Sequence, residues 1–177
     1  LQKSYIWGNF GTKVYKSKVS NAFKYEDPDN NSATDDAYYI NDGIVNIKGI
    51  ELNFDRELFG WQFNTNYDYN SAINKATGLQ KGRRPNHSVS ISMTKTIDKF
   101  QHLVNFRAKS WTWDKDAHTN ESKLAGYGLL NLSTNYSFSK DMKISINMNN
   151  ALNKEYEMAQ GYKTLGRVVT LGVNYSF

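Results

Sequence analysis

The side chains best suited to catalysis or metal binding in this sequence are three histidines. His87, His102 and His118 show no regular spacing, whereas a zinc site needs ligands at short, repeated intervals. The sequence contains no cysteine, which excludes a disulfide framework and thiolate metal ligands. We therefore predict no metal site and no resident cofactor, and we interpret the histidines as residues of loops and strand ends.

The carboxylates and glycines offer no better catalytic arrangement. Glu51, Asp55 and Asp68 fall on neighbouring segments and could form a carboxylate pair, but such charges are also normal on the wall of a water-filled barrel. The stretch "GLQKG" at 78–82 lacks the strand-to-helix setting of a phosphate-binding loop. The sequence thus predicts a protein that is not an enzyme.

The composition is polar on average but rich in aromatic side chains. Mean hydropathy is −0.68, yet 14% of the residues are aromatic, among them 12 tyrosines. No stretch approaches the roughly 18 apolar residues of a membrane-spanning helix. The net charge of +5 comes from scattered bases, densest in "KGRR" at 81–84. Because nucleic-acid binding needs a continuous basic stripe, we expect no nucleic acid as a partner.

Extended strands are the elements that must position any functional residue. In "GRVVTLGVNYSF", residues 166–177, the odd positions from Val169 onward are apolar and most even positions are small or polar. This period of two indicates a strand with one apolar face. It recurs at 50–55, 61–70, 88–97, 100–108, 130–138 and 143–149, with Leu103 out of phase. Residues 5–24 are also extended by composition, but the facing of their side chains stays open.

Strand and connector lengths favour a membrane barrel. Most segments run near ten residues, as a tilted transmembrane strand requires, whereas soluble strands average about five or six. Short connectors near 58–60, 98–99 and 139–141 alternate with long ones near 26–37, 73–81, 114–123 and 153–163. The pattern predicts an all-β fold, an antiparallel transmembrane β-barrel meander of about eight strands, with tight turns on the periplasmic side. A soluble two-sheet sandwich, which would bury the same alternate face, stays as the alternative.

Aromatic residues collect near both ends of these strands, as expected for girdles at the two membrane interfaces. Those beside the short turns are Phe54, Phe59, Trp61, Phe63, Phe100, Tyr136, Phe138, Tyr175 and Phe177. Those toward the long loops are Tyr67, Tyr69, Trp111, Trp113 and Tyr127. We therefore expect outer-membrane lipid as a partner, with Phe177 anchoring the turn-side rim.

Three motifs, in order, resemble the TonB-dependent outer-membrane receptors. "NNALNKEYE" at 149–157, followed by "GYKTLGRVVTLGVNYSF", is similar to the closing hairpin of that family. "VNIKGIELNFD" at 45–55 looks like its Gly-(Val/Ile)-Glu strand, and "KGRRPNHSVSIS" at 81–92 looks like its Arg-x-Pro-x-His strand entry. The resemblance covers the chain from about residue 10 onward, and the final loop looks most like that of the vitamin B12 receptor branch.

The resemblance implies a fold and a function. Such receptors carry a plug domain ahead of a barrel of about 22 strands, so residues 1–177 would be the C-terminal part of the barrel, about its last third, with the plug and earlier strands absent. It implies import of a scarce metal chelate (cobalamin, a ferric siderophore or haem) across the bacterial outer membrane, with TonB acting through the missing plug. The edge strands would pair with the rest of the barrel. The alternative is a complete eight-stranded barrel that serves as an anchor or adhesin.

Ligand contacts are expected in the loops, because a rigid scaffold presents its loops to ligands. The candidates for contacting a bulky, partly apolar chelate are Trp111, Trp113, Tyr127, Tyr156 and Tyr162. The candidates for contacting an anionic one are Arg83, Arg84 and Lys123. An outer aromatic girdle also explains the aromatic residues, and headgroup contact or solvation also explains the bases.

Overall fold

The residues that the structure describes form one nine-stranded sheet and three two-stranded sheets. The structure, a computed structural model, describes residues 2–5, 8–26, 38–41, 43–114 and 123–176. In chain order the strands are β1 (Gln2–Tyr5), β2 (Gly8–Ser20), β3 (Phe23–Glu26), β4 (Tyr38–Asn41), β5 (Ile44–Leu58), β6 (Trp61–Asn74), β7 (His87–Ile97), β8 (Phe100–Lys109), β9 (Thr112–Trp113), β10 (Lys123–Leu124), β11 (Tyr127–Ser137), β12 (Met142–Asn149), β13 (Glu157–Ala159), β14 (Tyr162–Lys163) and β15 (Val168–Tyr175). Within these ranges no helix has the length and apolar character needed to cross a membrane.

The large sheet is an antiparallel meander, as predicted. Its order is β1-β2-β5-β6-β7-β8-β11-β12-β15, so strands that follow one another along the chain are neighbours, and β1 and β15 lie at opposite edges. The pairs β3/β4, β9/β10 and β13/β14 are small hairpins within the long connectors. Residues 5–24, predicted as one extended segment, include the end of β1, all of β2 and the start of β3. Because β1 and β2 both belong to the large sheet, it has nine strands instead of about eight.

Connectors alternate in length along the sheet. Short turns join β5 to β6, β7 to β8 and β11 to β12, whereas the connectors after β6, β8 and β12 are long. Phe59 and Gly60, between β5 and β6, have φ of 52° and 73°, the left-handed pair that a type I′ hairpin needs. All short turns therefore lie at one end of the sheet, the turn end, and the long connectors lie at the other, the loop end. The predicted connector at 26–37 lies almost wholly outside the described residues.

The hydrogen-bond register places the alternating apolar side chains on one face of the sheet. Ile91 lies opposite Phe106, Phe106 lies opposite Leu130, and Ile146 lies opposite Leu171. Directly opposite residues of an antiparallel pair share a face, so one face is mostly apolar from β5 to β15, with Lys95, His102 and Thr134 on it near the turn end. The other, polar face is dominated by Asn, Ser and Thr, although Leu103 lies on it, opposite Ser133.

Almost no hydrophobic core is present among the described residues. The buried apolar side chains are Val45, Ala72 and Leu124, whereas Leu171 is 72% exposed and Val173 is 62% exposed. Each such side chain left in water forgoes about 1.5–3 kcal/mol. A two-layer sandwich would enclose these side chains, so the soluble alternative is wrong. The apolar face instead needs an apolar medium outside the chain.

Strand β5 begins earlier than predicted because its alternation changes phase. Apolar residues fall at even positions from Ile50 to Phe54, but Val45 and Ile47, nearer the loop end, fall at odd positions. The strand is continuous through both parts, so Val45 and Ile47 lie on the polar face. A search for one uninterrupted phase therefore detects only the second part of the strand.

Aromatic contacts mark the turn end. The rings of Phe100 and Tyr136 lie 4.7 Å apart, and those of Tyr136 and Phe138 lie 6.4 Å apart. Lys95 Nζ lies 5.7 Å from the Trp61 ring. These contacts agree with a girdle at this end, while the expected role of Phe177 lies outside the described residues.

Candidate functional site

Three long connectors meet at Asp114, at the loop end of the sheet. Asp114 Oδ1 lies 2.5 Å from Arg83 Nε, which belongs to the β6–β7 connector. Asp114 Oδ2 accepts a hydrogen bond from the backbone N–H of Gln160, in the β13–β14 turn, at 3.3 Å. The Asp114 side chain is only 6% exposed, so its charge lies among protein groups that compensate it. One carboxylate thus links all three connectors.

Arg83 is held in place by more than its charge. Its backbone N–H donates to the carbonyl of Trp113 at 2.5 Å, and its φ of 56° lies in the left-handed region. The hydrogen bond that Arg83 Nε donates to Asp114 raises the Arg83 pKa, and burial opposes this rise. The nearby phenol of Tyr162 adds a smaller electrostatic contribution in the same direction as Asp114. A candidate for ligand contact is therefore also a structural link between loops.

An aromatic and cationic group stands beside this link. The Trp111 and Trp113 rings meet edge to face, with centroids 5.6 Å apart and planes at 89°. Lys123 Nζ lies 4.4 Å from the Trp111 ring centroid, a distance at which the cation is attracted to the ring face. The register of the β9/β10 hairpin produces the arrangement by setting Lys123 opposite Trp113. The structure thus brings these three predicted residues together.

A second aromatic pair stands at the loop end of β11. Tyr127, the first residue of β11, has its ring centroid 4.4 Å from that of Tyr156. Tyr156 lies in the β12–β15 connector, where its carbonyl accepts a hydrogen bond from Thr164 Oγ1 at 2.8 Å. Two further candidates are exposed at the loop end: Arg84, in the β6–β7 connector, and Tyr162, which is 76% exposed on β14.

A cavity of about 490 Å³ opens between the β10 hairpin and the β12–β15 connector. Its charged lining consists of three lysines and two glutamates: Lys123, Lys154, Lys163, Glu155 and Glu157. Tyr156 adds an aromatic wall. The volume falls within the range of about 300–1,000 Å³ that small-molecule sites occupy. We call this cavity, with the two aromatic pairs and Asp114, the loop cluster.

Asn150 and Asn153 shape this connector, and sequence reasoning did not single them out. Asn150 is 5% exposed; its Oδ1 accepts the N–H of Lys154 and its Nδ2 donates to the carbonyl of the same residue, both at 2.8 Å. Asn153 Oδ1 accepts the N–H of Arg167 at 2.8 Å. Both asparagines have positive φ, 50° and 51°, which asparagine tolerates better than most residues. In the sequence, the only feature that pointed to this role was the cluster of asparagines at 149–153.

The Arg-x-Pro-x-His segment also has local structural contacts. Asn86 and Asn70 exchange backbone and side-chain hydrogen bonds at 2.8 Å, and His87 Nδ1 lies 2.7 Å from the Tyr67 hydroxyl. His102 instead contacts Thr134 on another part of the sheet, at 3.1 Å. Within the described part of the chain no three His, Asp or Glu side chains gather as a metal site; His118 lies outside it.

Two carboxylates of the polar face, Glu51 and Asp55, have cross-strand partners. Glu51 lies opposite Asp68 in the register, but its Oε1 lies 3.2 Å from Lys13 Nζ. Asp55 accepts a hydrogen bond from Asn64 Nδ2. These contacts fit the hydrated wall expected from the sequence better than a catalytic carboxylate pair.

Comparison with known proteins places this sheet and these loops in context. A family profile described as "TonB dependent receptor-like, beta-barrel" matches residues 4–151. The fold is similar to the copper transporter OprC, with a TM-score of 0.78, 17% identity, and 99% of this chain covering 30% of that one. It is also similar to the siderophore receptor PirA from Acinetobacter baumannii (TM-score 0.77, 14% identity, 99% and 30% covered) and to the FrpB iron transporter from Neisseria meningitidis (TM-score 0.72, 16% identity, 99% and 29% covered). The chain spans less than a third of the length of these proteins.

Proposed function

This chain belongs to the TonB-dependent receptor β-barrel family, whose barrels lie in the Gram-negative outer membrane, and we propose that it is the C-terminal part of a barrel that imports a scarce metal chelate. The open sheet supports this proposal. A complete small barrel would need β1 to pair with β15, and these strands lie at opposite edges of the described sheet. Strand edges exposed to lipid cost several kcal/mol per unpaired group, so further strands of the same protein would cover them.

The loop cluster is the observation that carries the proposal. It joins three connectors through Asp114 and presents aromatic faces beside a cavity of about 490 Å³. Indole and phenol rings pack against the flat, partly apolar groups of a chelate, and the excess of lysine over glutamate in the cavity lining favours an anionic one. The proposed ligand contacts are Trp111, Trp113, Tyr127, Tyr156, Tyr162, Arg83 and Arg84.

The proposed ligand class, a metal chelate, is supported by the descriptions of proteins of similar fold. OprC is described as a copper transporter and PirA as a siderophore receptor. We extend this class to the present chain as a ferric siderophore, haem or cobalamin, the last because of the final-loop resemblance. Energy would come from TonB through a plug domain encoded elsewhere in the protein.

Ligand binding by the full-length protein tests the proposal. The probes are haemin, cyanocobalamin, a ferric catecholate, a ferric hydroxamate and copper(II), each titrated against intrinsic fluorescence. We expect one probe to bind. Trp111→Ala and Tyr156→Ala should each lower the affinity for that probe by about 10-fold or more, as for aromatic anchors that contribute over 1 kcal/mol to binding.

Trp61→Ala is the matched control, because Trp61 lies at the turn end, far along the strand from the loop cluster. The Trp61→Ala variant should bind the probe with the same affinity as the wild type. Failure of all five probes to bind, or equal weakening by the control and the loop variants, would count against a chelate site in the loop cluster.

A further inference from the structure

A group of lysines interrupts the apolar face near the loop end of β2 and β5. Lys16 lies directly opposite Lys48, and Lys18 lies opposite Asn46. The register places all three lysines on the same face as Val14 and Ile50, the opposed pair one row nearer the turn end. We call Lys16, Lys18 and Lys48 the lysine patch; all three are exposed.

The patch lacks compensating charge among the described residues. On this face β2, β5 and β6 carry no carboxylate, because their four carboxylates project from the polar face: Glu51, Asp55, Glu57 and Asp68. Like charges directly opposite each other destabilise a strand pair. Lys13 shows the contrast: it is on the same strand but on the polar face, and it forms an ion pair with Glu51 at 3.2 Å.

The patch lies where the apolar band should end. A strand rising about 3.4 Å per residue at a tilt of about 40° climbs about 2.6 Å per residue along the membrane normal. Lys48 is ten residues from Leu58, the last residue of β5 at the turn end, which puts it about 26 Å above that level. The apolar band of an outer-membrane barrel is about 25 Å tall. The ammonium groups therefore reach the headgroup layer of the outer leaflet.

The alternation of apolar and polar residues along β5 also places the edge of the apolar band at the lysine patch. Beyond Ile50 the face that carried apolar residues carries lysines, while Val45 and Ala72, on the opposite face, become buried at 4% and 0% exposure. The strands therefore continue past the hydrocarbon with their outward side adapted to a polar medium. The patch is also local. Toward their loop ends β8, β11, β12 and β15 present small or apolar residues on this face: Ala108, Leu130, Met148 and Val169.

We propose that the lysine patch binds a phosphate-bearing lipid headgroup of the outer leaflet. Side chains directly opposite on one face have Cβ atoms about 4.5–5.5 Å apart, so the Lys16 and Lys48 ammonium groups can contact one phosphate together. Such an anion removes the repulsion between them. Lys18, farther along β2, contributes a third donor to the same headgroup. The proposal needs the membrane orientation of the sheet but does not depend on which ligand is imported.

Lipid binding by the full-length protein in a non-ionic detergent tests the proposal. Native mass spectrometry would follow titration with diphosphorylated lipid A, with the same lipid after removal of its phosphates, and with inorganic pyrophosphate. Removal of each surface lysine costs about fivefold in affinity for an anionic surface, so Lys16→Gln/Lys48→Gln should bind lipid A about 25-fold more weakly. Lys13→Gln, the matched control, should bind it as the wild type does.

Three results would overturn the proposal. Equal lipid A binding by the wild type and the double variant would show that the patch does not bind a headgroup. This is the result expected if the four aspartates between β3 and β4 neutralised the lysines. Equally tight binding of the dephosphorylated lipid would remove the role of phosphate. Pyrophosphate binding with the same dependence on Lys16 and Lys48 would indicate a site for free phosphate instead of lipid. Unchanged heat-modifiable gel mobility would verify that each variant is folded.

Discussion

Replacing Ile91 with arginine tests whether lipid covers the apolar face. Ile91 lies on β7 between Thr65 and Phe106, both on the apolar face. It is six residues from Ile97 at the turn end, or about 16 Å along the normal at about 2.6 Å per residue. The midplane of an apolar band about 25 Å tall lies about 12 Å above that end, so Ile91 is close to the midplane.

Arginine at this depth should cost about 2–4 kcal/mol of folding free energy. The measurement is the free energy of unfolding of the full-length protein in phospholipid vesicles, from guanidinium titration followed by tryptophan fluorescence. Heat-modifiable gel mobility would report the fraction inserted.

Ser90→Arg is the matched control, because Ser90 is the adjacent residue on the polar face, between Asn66 and Arg107. Repulsion from Arg107 should cost less than about 1 kcal/mol. Similar losses for both variants would refute the reasoning, since one face could then not be wet while the other touches hydrocarbon.

Two further substitutions test the packing that supports the loops and the wall. Asp114→Ala removes the carboxylate that links three connectors. It should raise amide hydrogen-exchange rates near Arg83 and Gln160 by about 5- to 150-fold, equivalent to about 1–3 kcal/mol. Asp141→Ala, at the exposed turn end, should leave those rates unchanged, and equal rates in the two variants would contradict the link. Gly49→Ala would drive a methyl group into the Tyr69 carbonyl and the Tyr15 ring, and should lower the free energy of unfolding by about 1–3 kcal/mol. In Gly11→Ala the new methyl group would make only ordinary van der Waals contacts, the nearest at 3.6 Å. This variant should change the free energy of unfolding by less than about 1 kcal/mol. An equal loss for the two glycine variants would rule out the steric explanation.

The glycine of the Gly-(Val/Ile)-Glu motif has a structural explanation. Tyr15 lies opposite Gly49 in the register, and the Tyr15 hydroxyl accepts a hydrogen bond from Asn70 Nδ2 at 2.7 Å. The tyrosine ring covers the space that a Gly49 side chain would take, which is how aromatic residues compensate for strand glycines. The motif therefore marks close packing across three strands, and this could not be recognised from the spacing of its letters.

The alternation and connector lengths were enough to predict most of the sheet. Each strand must place alternate side chains in two different media, so the period of two is present within the sequence of each strand from Ile91 to Leu171. It can therefore be recognised without knowing the tertiary structure. Connector lengths similarly predict which ends carry turns and which carry loops. Two parts of the sheet were not predicted: residues 5–24 divide among three strands, and the first part of β5 was missed because its apolar residues, from Val45, lie on the other face.

The contacts of the loop cluster were decided only by the tertiary structure. Trp111 and Tyr156 were identified from residue type, but Asp114, a single carboxylate in a polar connector, gained its role only when Arg83 and Gln160 were brought to it from distant parts of the chain. The lysine patch arose in the same way, since the register alone sets Lys16 opposite Lys48. A periodic pattern records the medium that a strand touches, whereas a contact between distant residues depends on how the strands pair, and no local pattern in the sequence records that pairing.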